Sequence, residues 1–203
     1  PTVAVVHLQG TIVDGSSESG PFGGQAVGDR TVVRHLENLR EDDKVKAVVL
    51  RIDSPGGSGP ASDLMWRELC RLAKKKPLVG SMGSTAASGG YYLAMAAHSI
   101  LAAPMTITGS IGIFAVLPTF EKLASKVGVS ADGVSTTPLS GQPDFVGGFN
   151  PETEQILQAS IENGYDRFLR IVAKSRGKTT AQVDAIGQGR VWDGGTARQN
   201  GLV

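Results

Sequence analysis

The chain of 203 residues carries 20 basic and 19 acidic side chains, so its net charge of +1 gives no general attraction to nucleic acid or to an anionic membrane surface. Its length suits a single compact domain that buries a core without disulfides. The one cysteine, Cys70, excludes an internal disulfide framework. No apolar run reaches the roughly 20 residues needed to cross a bilayer, and we expect neither a metal ion nor a cofactor.

The first half of the sequence alternates short β-branched or apolar runs with amphipathic segments. This alternation is typical of a parallel sheet whose strands are joined by crossover helices, and it predicts an α/β fold. The predicted strands are Val3–Leu8, Val45–Ile52, Pro77–Ser81 and Ser99–Ala103. The predicted helices of this half are Asp29–Arg40, Pro60–Lys75 and a third that begins at Ser88.

Two segments rich in glycine and serine, 15–28 and 134–149, show no periodicity and are predicted to be loops, the first of them flexible. After the second, Asn150, Pro151 and Glu152 supply a cap, a first-turn proline and an acid, which predict a helix to about Ser175. Other short elements are predicted at Thr106–Phe114, Pro118–Val127, 179–187 and Gly194–Asn200. We therefore predict one domain over residues 1–203, ending in a helical segment.

The stretch Ser81–Tyr92 passes from an apolar strand through small residues into an apolar helix. Ser88 stands where this helix is predicted to begin, and Gly89 and Gly90 follow it directly. A serine at this point exposes its hydroxyl, and the unpaired amides of the first helical turn point towards anything bound beside it. Ser88 is therefore a candidate nucleophile, although a serine at a helix start is more often only a cap.

A second glycine-rich turn, Ser54-Pro55-Gly56-Gly57, follows the preceding predicted strand. In an open α/β fold such turns gather at the carboxyl ends of the strands, where ligands bind. The turn offers backbone amides without side chains in the way, and Gly89 offers another directly after Ser88. Taken alone, the Ser-Pro-Gly-Gly motif is usually just a turn. Its occurrence beside the Ser88 turn in adjacent strand–helix units favours an oxyanion hole.

A nucleophilic serine needs a general base. Of the three histidines, His7 lies inside the first predicted strand, His35 on the flank of a helix and His98 a whole helix length beyond Ser88. None has a convincing carboxylate partner, which argues against a Ser-His-Asp triad. The other option is a Ser-Lys dyad, in which a desolvated lysine is neutral near pH 7.

Three motifs stand in this order along the chain: Arg-Ile-Asp-Ser-Pro-Gly-Gly-Ser at 51–58, Ala-Ala-Ser-Gly-Gly-Tyr-Tyr at 86–92 and Ile-Thr-Gly-Ser-Ile-Gly at 107–112. They resemble the signal peptide peptidase A (protease IV) family of Ser-Lys serine peptidases. Ser-Ile-Glu-Asn-Gly-Tyr at 160–165 and Gly-Arg-Val-Trp at 189–192 fit the same family. The resemblance covers nearly the whole chain and is greatest to the carboxyl-terminal half of the long, tandem-core members.

This resemblance implies a ClpP/crotonase-like core of parallel strands and a serine endopeptidase that degrades remnant signal peptides at the membrane. It assigns the nucleophile to Ser88, the oxyanion hole to Gly57 and Gly89, and substrate binding to Gly56, Ser54 and Ser110. It also implies homo-oligomers, a soluble domain on the outer side of the inner membrane, and a preference for small apolar substrate residues. No nucleic acid is expected as a partner.

The general base is where the sequence departs from the family. In short, single-core members the lysine lies in a segment well beyond the serine, and the matching segment here, 135–143, contains no lysine. Lys122 and Lys126 lie nearby, but on a predicted helix outside that segment. In tandem-core members the amino-terminal half carries the lysine. We therefore expect this chain to be a piece of a longer protein, nearly inactive alone.

Two other functions stay open from the sequence. A crotonase-type acyl-CoA enzyme uses the same core and the same paired amides to stabilise a thioester enolate, without a nucleophilic serine. Alternatively, the chain is a non-catalytic half kept for assembly or substrate capture. The missing lysine favours that alternative for the isolated piece, whereas the setting of Ser88 argues against it for the longer protein.

Overall fold

The computed structural model describes residues 1–19, 24–137 and 139–203. Its strands are β1 (Thr2–Gln9), β2 (Thr11–Val13), β3 (Glu18–Ser19), β4 (Gln25–Gly28), β5 (Val45–Ser54), β6 (Leu78–Ala87), β7 (Ser99–Leu101), β8 (Ile107–Gly109) and β9 (Val191–Asp193). Its helices are α1 (Asp29–Glu41), α2 (Gly59–Lys75), α3 (Gly89–Ala94), α4 (Glu121–Lys126), α5 (Pro151–Arg176), α6 (Thr180–Ile186) and α7 (Gly194–Gln199). The chain divides into two compact units, residues 1–112 with 166–203 and residues 113–165.

The main sheet belongs to the first unit and has the strand order β1-β5-β6-β8-β9, with β7 also paired to β6. All of these pairs are parallel except the antiparallel pair of β8 and β9. Helix α2 connects the parallel neighbours β5 and β6, as a crossover helix does. The predicted α/β class, with mostly parallel strands, is confirmed.

The core of the first unit forms where the sheet meets α1 and α2. Val48, Leu50 and Ile52 alternate along β5 and are fully buried, because successive side chains of a strand point to opposite faces. Met65, Leu69 and Leu72 recur at helical spacing along α2 and are also fully buried. The neighbouring Leu64 is exposed, so Met65 and not Leu64 takes the inward position.

The predicted flexible loop at 15–28 is wrong for part of its length, since it contains β3 and β4. Strand β4 pairs in parallel with β2 and antiparallel with β3, so a small second sheet forms. Strands of two to four residues are too short to show an alternating pattern, and here backbone pairing rather than side-chain periodicity defines them. Residues 20–23 of this segment lie outside the described residues.

The second unit contains α4 and the first part of α5. Helix α5 begins at Pro151, where the sequence predicts it, and the Thr153 N–H donates to the Asn150 side-chain oxygen over 2.8 Å, as an N-cap requires. Residues 134–137 and 139–149 hold no helix or strand; Pro138, also in the predicted second loop, lies outside the described residues. Among the described helices, none has the length and apolar character needed to cross a membrane.

Candidate active site

Ser88 lies between the end of β6 and the start of α3, in a strained backbone conformation with φ 50° and ψ −119°. A positive φ is uncommon for residues other than glycine and persists only where surrounding contacts impose it. Here the Ser88 N–H donates to the Gly109 carbonyl over 2.9 Å, and the Ser88 carbonyl accepts from the Tyr92 N–H over 2.8 Å. The side chain forms no cap hydrogen bond. The turn thus leaves Ser88 partly exposed, with no hydrogen bond from its hydroxyl to another described residue.

The glycine-rich turn after β5 lies directly against the Ser88 turn. Ser54 of β5 and Ala86 of β6 are paired in the sheet, so the two strands end side by side. A Cβ atom added to Gly56, whose φ is +100°, would lie 2.6 Å from the Gly89 nitrogen and 2.8 Å from the Ser88 Cβ. Only glycine leaves room for this contact.

Backbone pairing with β2 fixes the position of Gly57. The Ile12 N–H donates to the Gly56 carbonyl, and the Ser58 N–H donates to the Ile12 carbonyl, both over 2.9 Å. The Gly57 N–H lies between these bonds, is exposed, and has no hydrogen-bond partner in the described part of the chain. This amide precedes α2, whose N-cap is Ser58, so it lies at the positive end of a helix.

The Gly89 N–H is the second free amide. Gly89 is the first residue of α3, where backbone donors have no partner within the helix, and among the described residues its N–H donates to no other group. The helix start is tightly packed, because a Cβ on Gly89 would lie 3.3 Å from the Gly56 Cα. The two amides proposed from the sequence for an oxyanion hole are therefore both unpaired and lie on touching turns.

Ser54 and Gly56, for which the resemblance implies a substrate-binding role, both form hydrogen bonds within their own turn. Ser54 is fully buried, and its hydroxyl oxygen accepts the Gly56 N–H over 3.1 Å. The Gly56 carbonyl already accepts the hydrogen bond from Ile12, so both backbone groups of Gly56 are used inside the fold. These hydrogen bonds shape the turn from within, and a substrate-binding role for either residue stays a prediction.

Ser110 lies on the other side of the Ser88 turn. Its φ of 49° nearly equals that of Ser88, and it directly follows Gly109, whose carbonyl accepts the Ser88 N–H. The Ser110 N–H donates to the Arg190 carbonyl over 2.7 Å, which attaches the end of β8 to the segment before β9. Ser110 is partly exposed and lies one residue from the Ser88 contact, so a substrate-binding role stays a prediction. The sequence does not predict that the Arg190 carbonyl supports Ser110, because nothing in the motif at 189–192 indicates a hydrogen bond to a residue so distant in sequence.

No described histidine or lysine hydrogen-bonds to Ser88. The His98 Nδ1 accepts the Leu78 N–H at the start of β6, the end of the strand away from Ser88. The Lys75 Nζ donates to Glu41 over 2.8 Å, and the Lys76 Nζ donates to carbonyls at the end of α1. Lys122 and Lys126 are exposed on α4 of the second unit, as the sequence predicts for a helix there.

The described residues contain no cluster of histidine, cysteine, aspartate and glutamate that could hold a metal ion. The groups that the Ser88 site presents are one hydroxyl and two backbone amides. This combination suits attack on a carbonyl carbon and stabilisation of the oxyanion that results.

The family model for Peptidase family S49 matches residues 71–203, a range that includes Ser88, Gly89 and Ser110. The chain belongs to this family. It is 49% identical to Protease 4 of Haemophilus influenzae over 99% of the chain and 47% identical to Protease 4 of Salmonella typhi over all of it. It is 31% identical over 99% of the chain to the protein named putative signal peptide peptidase SppA from Enterococcus faecium.

The S49 match confirms both the family resemblance and the ClpP/crotonase-like core that it implies. The chain spans about a third of the length of the two Protease 4 relatives, with 32% of each covered. More than half of each relative therefore has no counterpart in this chain.

Proposed function

We propose that this S49 chain carries the nucleophile and the oxyanion hole of a serine endopeptidase. The observation that carries the proposal is the turn at Ser88, where a strained backbone presents a free hydroxyl beside the unpaired amides of Gly57 and Gly89. The names of the Protease 4 relatives support the same reaction class. Ser110, the residue after β8, is proposed to contact the substrate beside the nucleophile.

In the proposed reaction the Ser88 Oγ attacks the carbonyl carbon of the scissile peptide bond while a base accepts the Ser88 proton. The carbonyl oxygen becomes an oxyanion and accepts hydrogen bonds from the Gly57 and Gly89 N–H groups. Collapse breaks the C–N bond, the leaving amine takes the proton from the base, and an acyl ester remains on Ser88. Water activated by the same base then hydrolyses the ester.

The base is proposed to be a lysine from outside this chain. Two observations support this: segment 135–143 contains no lysine, and no described lysine donates to Ser88. The greater length of the Protease 4 relatives is consistent with an amino-terminal half that supplies the missing side chain. A lysine in this role must be desolvated so that its pKa falls far enough for a neutral amine near pH 7.

The proposed substrates are remnant signal peptides, which the name of the Enterococcus faecium relative supports. Cleaved signal peptides are apolar and remain in the membrane, so the proposal places the longer protein at the membrane, with this domain outside the cytoplasm. Association into homo-oligomers is part of the same proposal.

Labelling with a fluorophosphonate probe tests the nucleophile in the longer protein. The probe is expected to modify Ser88, as located by mass mapping of the digested protein, and Ser88→Ala is expected to abolish both labelling and peptide cleavage. Ser84→Ala is a matched control, because Ser84 is an exposed serine on β6, the strand that leads to Ser88. Equal labelling of wild type and Ser88→Ala would remove Ser88 as the nucleophile.

The isolated chain of 203 residues tests the source of the base. It is expected to cleave peptides far more slowly than the longer protein, since the proposed lysine is missing. Cleavage at the same rate would show that the chain holds its own base. Absence of labelling in the longer protein, together with binding of an acyl-CoA thioester, would instead favour the crotonase-type reaction.

A further inference from the structure

Helices α2 and α3 are joined by a polar cluster of Asp63, Tyr92 and Arg167. The Tyr92 hydroxyl donates to Asp63 Oδ1 over 2.8 Å. The same carboxylate oxygen accepts from Arg167 Nη2 over 2.6 Å and from Nε over 3.0 Å. The Arg167 Nε also lies 3.3 Å from the Tyr92 hydroxyl oxygen, so all three side chains contact one another.

The position of this cluster relates it to the two free amides. Asp63 is the fifth residue of α2, the helix that begins just after Gly57, and Tyr92 is the fourth residue of α3, which begins with Gly89. At a rise of about 1.5 Å per residue, Tyr92 is roughly one helical turn from Gly89, and Asp63 is roughly one turn into α2. The Tyr92–Asp63 hydrogen bond thus crosses between the two helices that present the oxyanion hole.

Helix α3 needs such a link because it has only six residues. A helix of that length has little stability of its own, and its direction is set by what its side chains contact. The Tyr92 ring packs edge-on against two other rings, with its centroid 5.8 Å from that of Trp66 and 4.9 Å from that of Phe168. Burial of Tyr92 raises the pKa of its hydroxyl, so the group stays protonated and keeps donating to Asp63 at neutral pH.

We propose that Asp63, Tyr92 and Arg167 are positioning residues that fix the separation of the Gly57 and Gly89 amides. Tyr92 and Asp63 form the link, and Arg167 holds the Asp63 carboxylate in place. An oxyanion hole needs both donors within about 2.7–3.1 Å of one oxygen atom, so a small rotation of α3 removes one of them. The expected fall in kcat rests on the proposed function, whereas the expected loosening of α3 does not.

Tyr92→Phe and Asp63→Ala in the longer protein test the link, since each removes one partner of the Tyr92–Asp63 hydrogen bond. Tyr92→Phe removes only the hydroxyl and keeps the ring contacts with Trp66 and Phe168. We expect kcat to fall about tenfold in both variants with KM unchanged, a smaller loss than the roughly hundredfold that follows a 1 Å displacement. Arg167→Gln is expected to lower kcat, and Arg167→Lys to restore part of it.

Tyr91→Phe is the matched control. The Tyr91 hydroxyl also comes from α3, but it donates to the Leu202 carbonyl over 2.8 Å and does not reach α2. Its loss is expected to lower the melting temperature as much as Tyr92→Phe does, while kcat stays at the wild-type value. Unchanged kcat in Tyr92→Phe and Asp63→Ala, or an equal fall in Tyr91→Phe, would overturn the proposal.

Hydrogen–deuterium exchange separates this inference from the proposed peptidase activity. The Tyr92 N–H that donates to the Ser88 carbonyl reports on the first turn of α3. In the longer protein, exchange in the peptide covering α3 is expected to be faster in Tyr92→Phe and Asp63→Ala than in wild type or Tyr91→Phe. If the wild type cleaves no peptide, the proposed function fails, and this exchange pattern alone decides whether the link positions α3. Exchange unchanged from wild type in both link variants would refute it.

Discussion

The contact between the two glycine-rich turns makes Gly56→Ala the sharpest single test of the site. Gly56 has a φ of +100°, and its missing Cβ would lie 2.6 Å from the Gly89 nitrogen and 3.0 Å from the Ala87 carbonyl oxygen. Backbone atoms of a packed strand end cannot give way as a flexible side chain does. The substitution must therefore push the Gly57 turn and the Ser88 turn apart.

Two effects contribute to the expected loss of stability. An alanine at a positive φ costs about 1–2 kcal/mol, and forcing extra atoms into a packed site costs about 1–3 kcal/mol more. Gly15→Ala isolates the first effect, because Gly15 has a φ of +99° and nothing within 4 Å of its missing Cβ. We expect a free energy of unfolding lowered by about 1–2 kcal/mol in Gly15→Ala and by about 2–5 kcal/mol in Gly56→Ala.

Urea unfolding of both variants measures these losses, and the rate of Ser88 labelling in the longer protein measures the effect on the site. A displacement of about 1 Å between the turns lowers a rate roughly hundredfold, so labelling is expected to slow by about that factor in Gly56→Ala only. If Gly56→Ala is no less stable than Gly15→Ala and labels at the wild-type rate, the two turns do not depend on their contact.

Ser54→Ala is expected to lower the free energy of unfolding by about 1–3 kcal/mol, because it leaves the buried Gly56 N–H without its acceptor; urea unfolding should show no comparable loss for the exposed Ser84→Ala. Hydrogen bonds from the Thr196 hydroxyl and N–H hold the pKa of Asp193 below its usual range. The ionised Asp193 carboxylate therefore stabilises the folded state above the pKa that Asp193 has in the unfolded chain. This stabilisation is lost as the pH falls through the lower pKa of Asp193 in the folded state. The difference in free energy of unfolding between wild type and Asp193→Asn should narrow as the pH falls from the unfolded to the folded pKa of Asp193. A difference that stays constant with pH would contradict this.

The sequence predicts those parts of the fold that depend on local periodicity and local chemistry. Strand β5 and helix α2 follow from their apolar spacing, and α5 from its proline and capping asparagine. The helix start at Ser88 is predicted, but β6 continues to Ala87 instead of ending at Ser81, because residues 82–87 pair with β5 and β8. Strands β3 and β4 are not predictable in this way, since backbone pairing holds them and their side chains show no pattern.

The polar details of the candidate site depend on contacts between distant parts of the chain. From the sequence, Ser54 is expected to bind substrate, and only the structure shows that this serine is buried and that its hydroxyl oxygen accepts the Gly56 N–H. Asp63 and Arg167 are 104 residues apart, and each alone reads as an ordinary charge on a helix surface. Their link to Tyr92 has no local signal, because it arises where α2, α3 and α5 meet.

The division of labour in the proposed mechanism follows from how precisely each group must be held. The nucleophile and the oxyanion hole consist of strained or glycine backbone on two turns, and they are fixed by Ile12, Gly109 and the adjoining strands of one sheet. Such an arrangement cannot be shared between separately folded parts without losing the close contact at Gly56. A general base needs only one desolvated amine within hydrogen-bond reach of the serine. A lysine at the end of a flexible side chain meets that need from a neighbouring segment, so the base is the component that another half of the protein can supply.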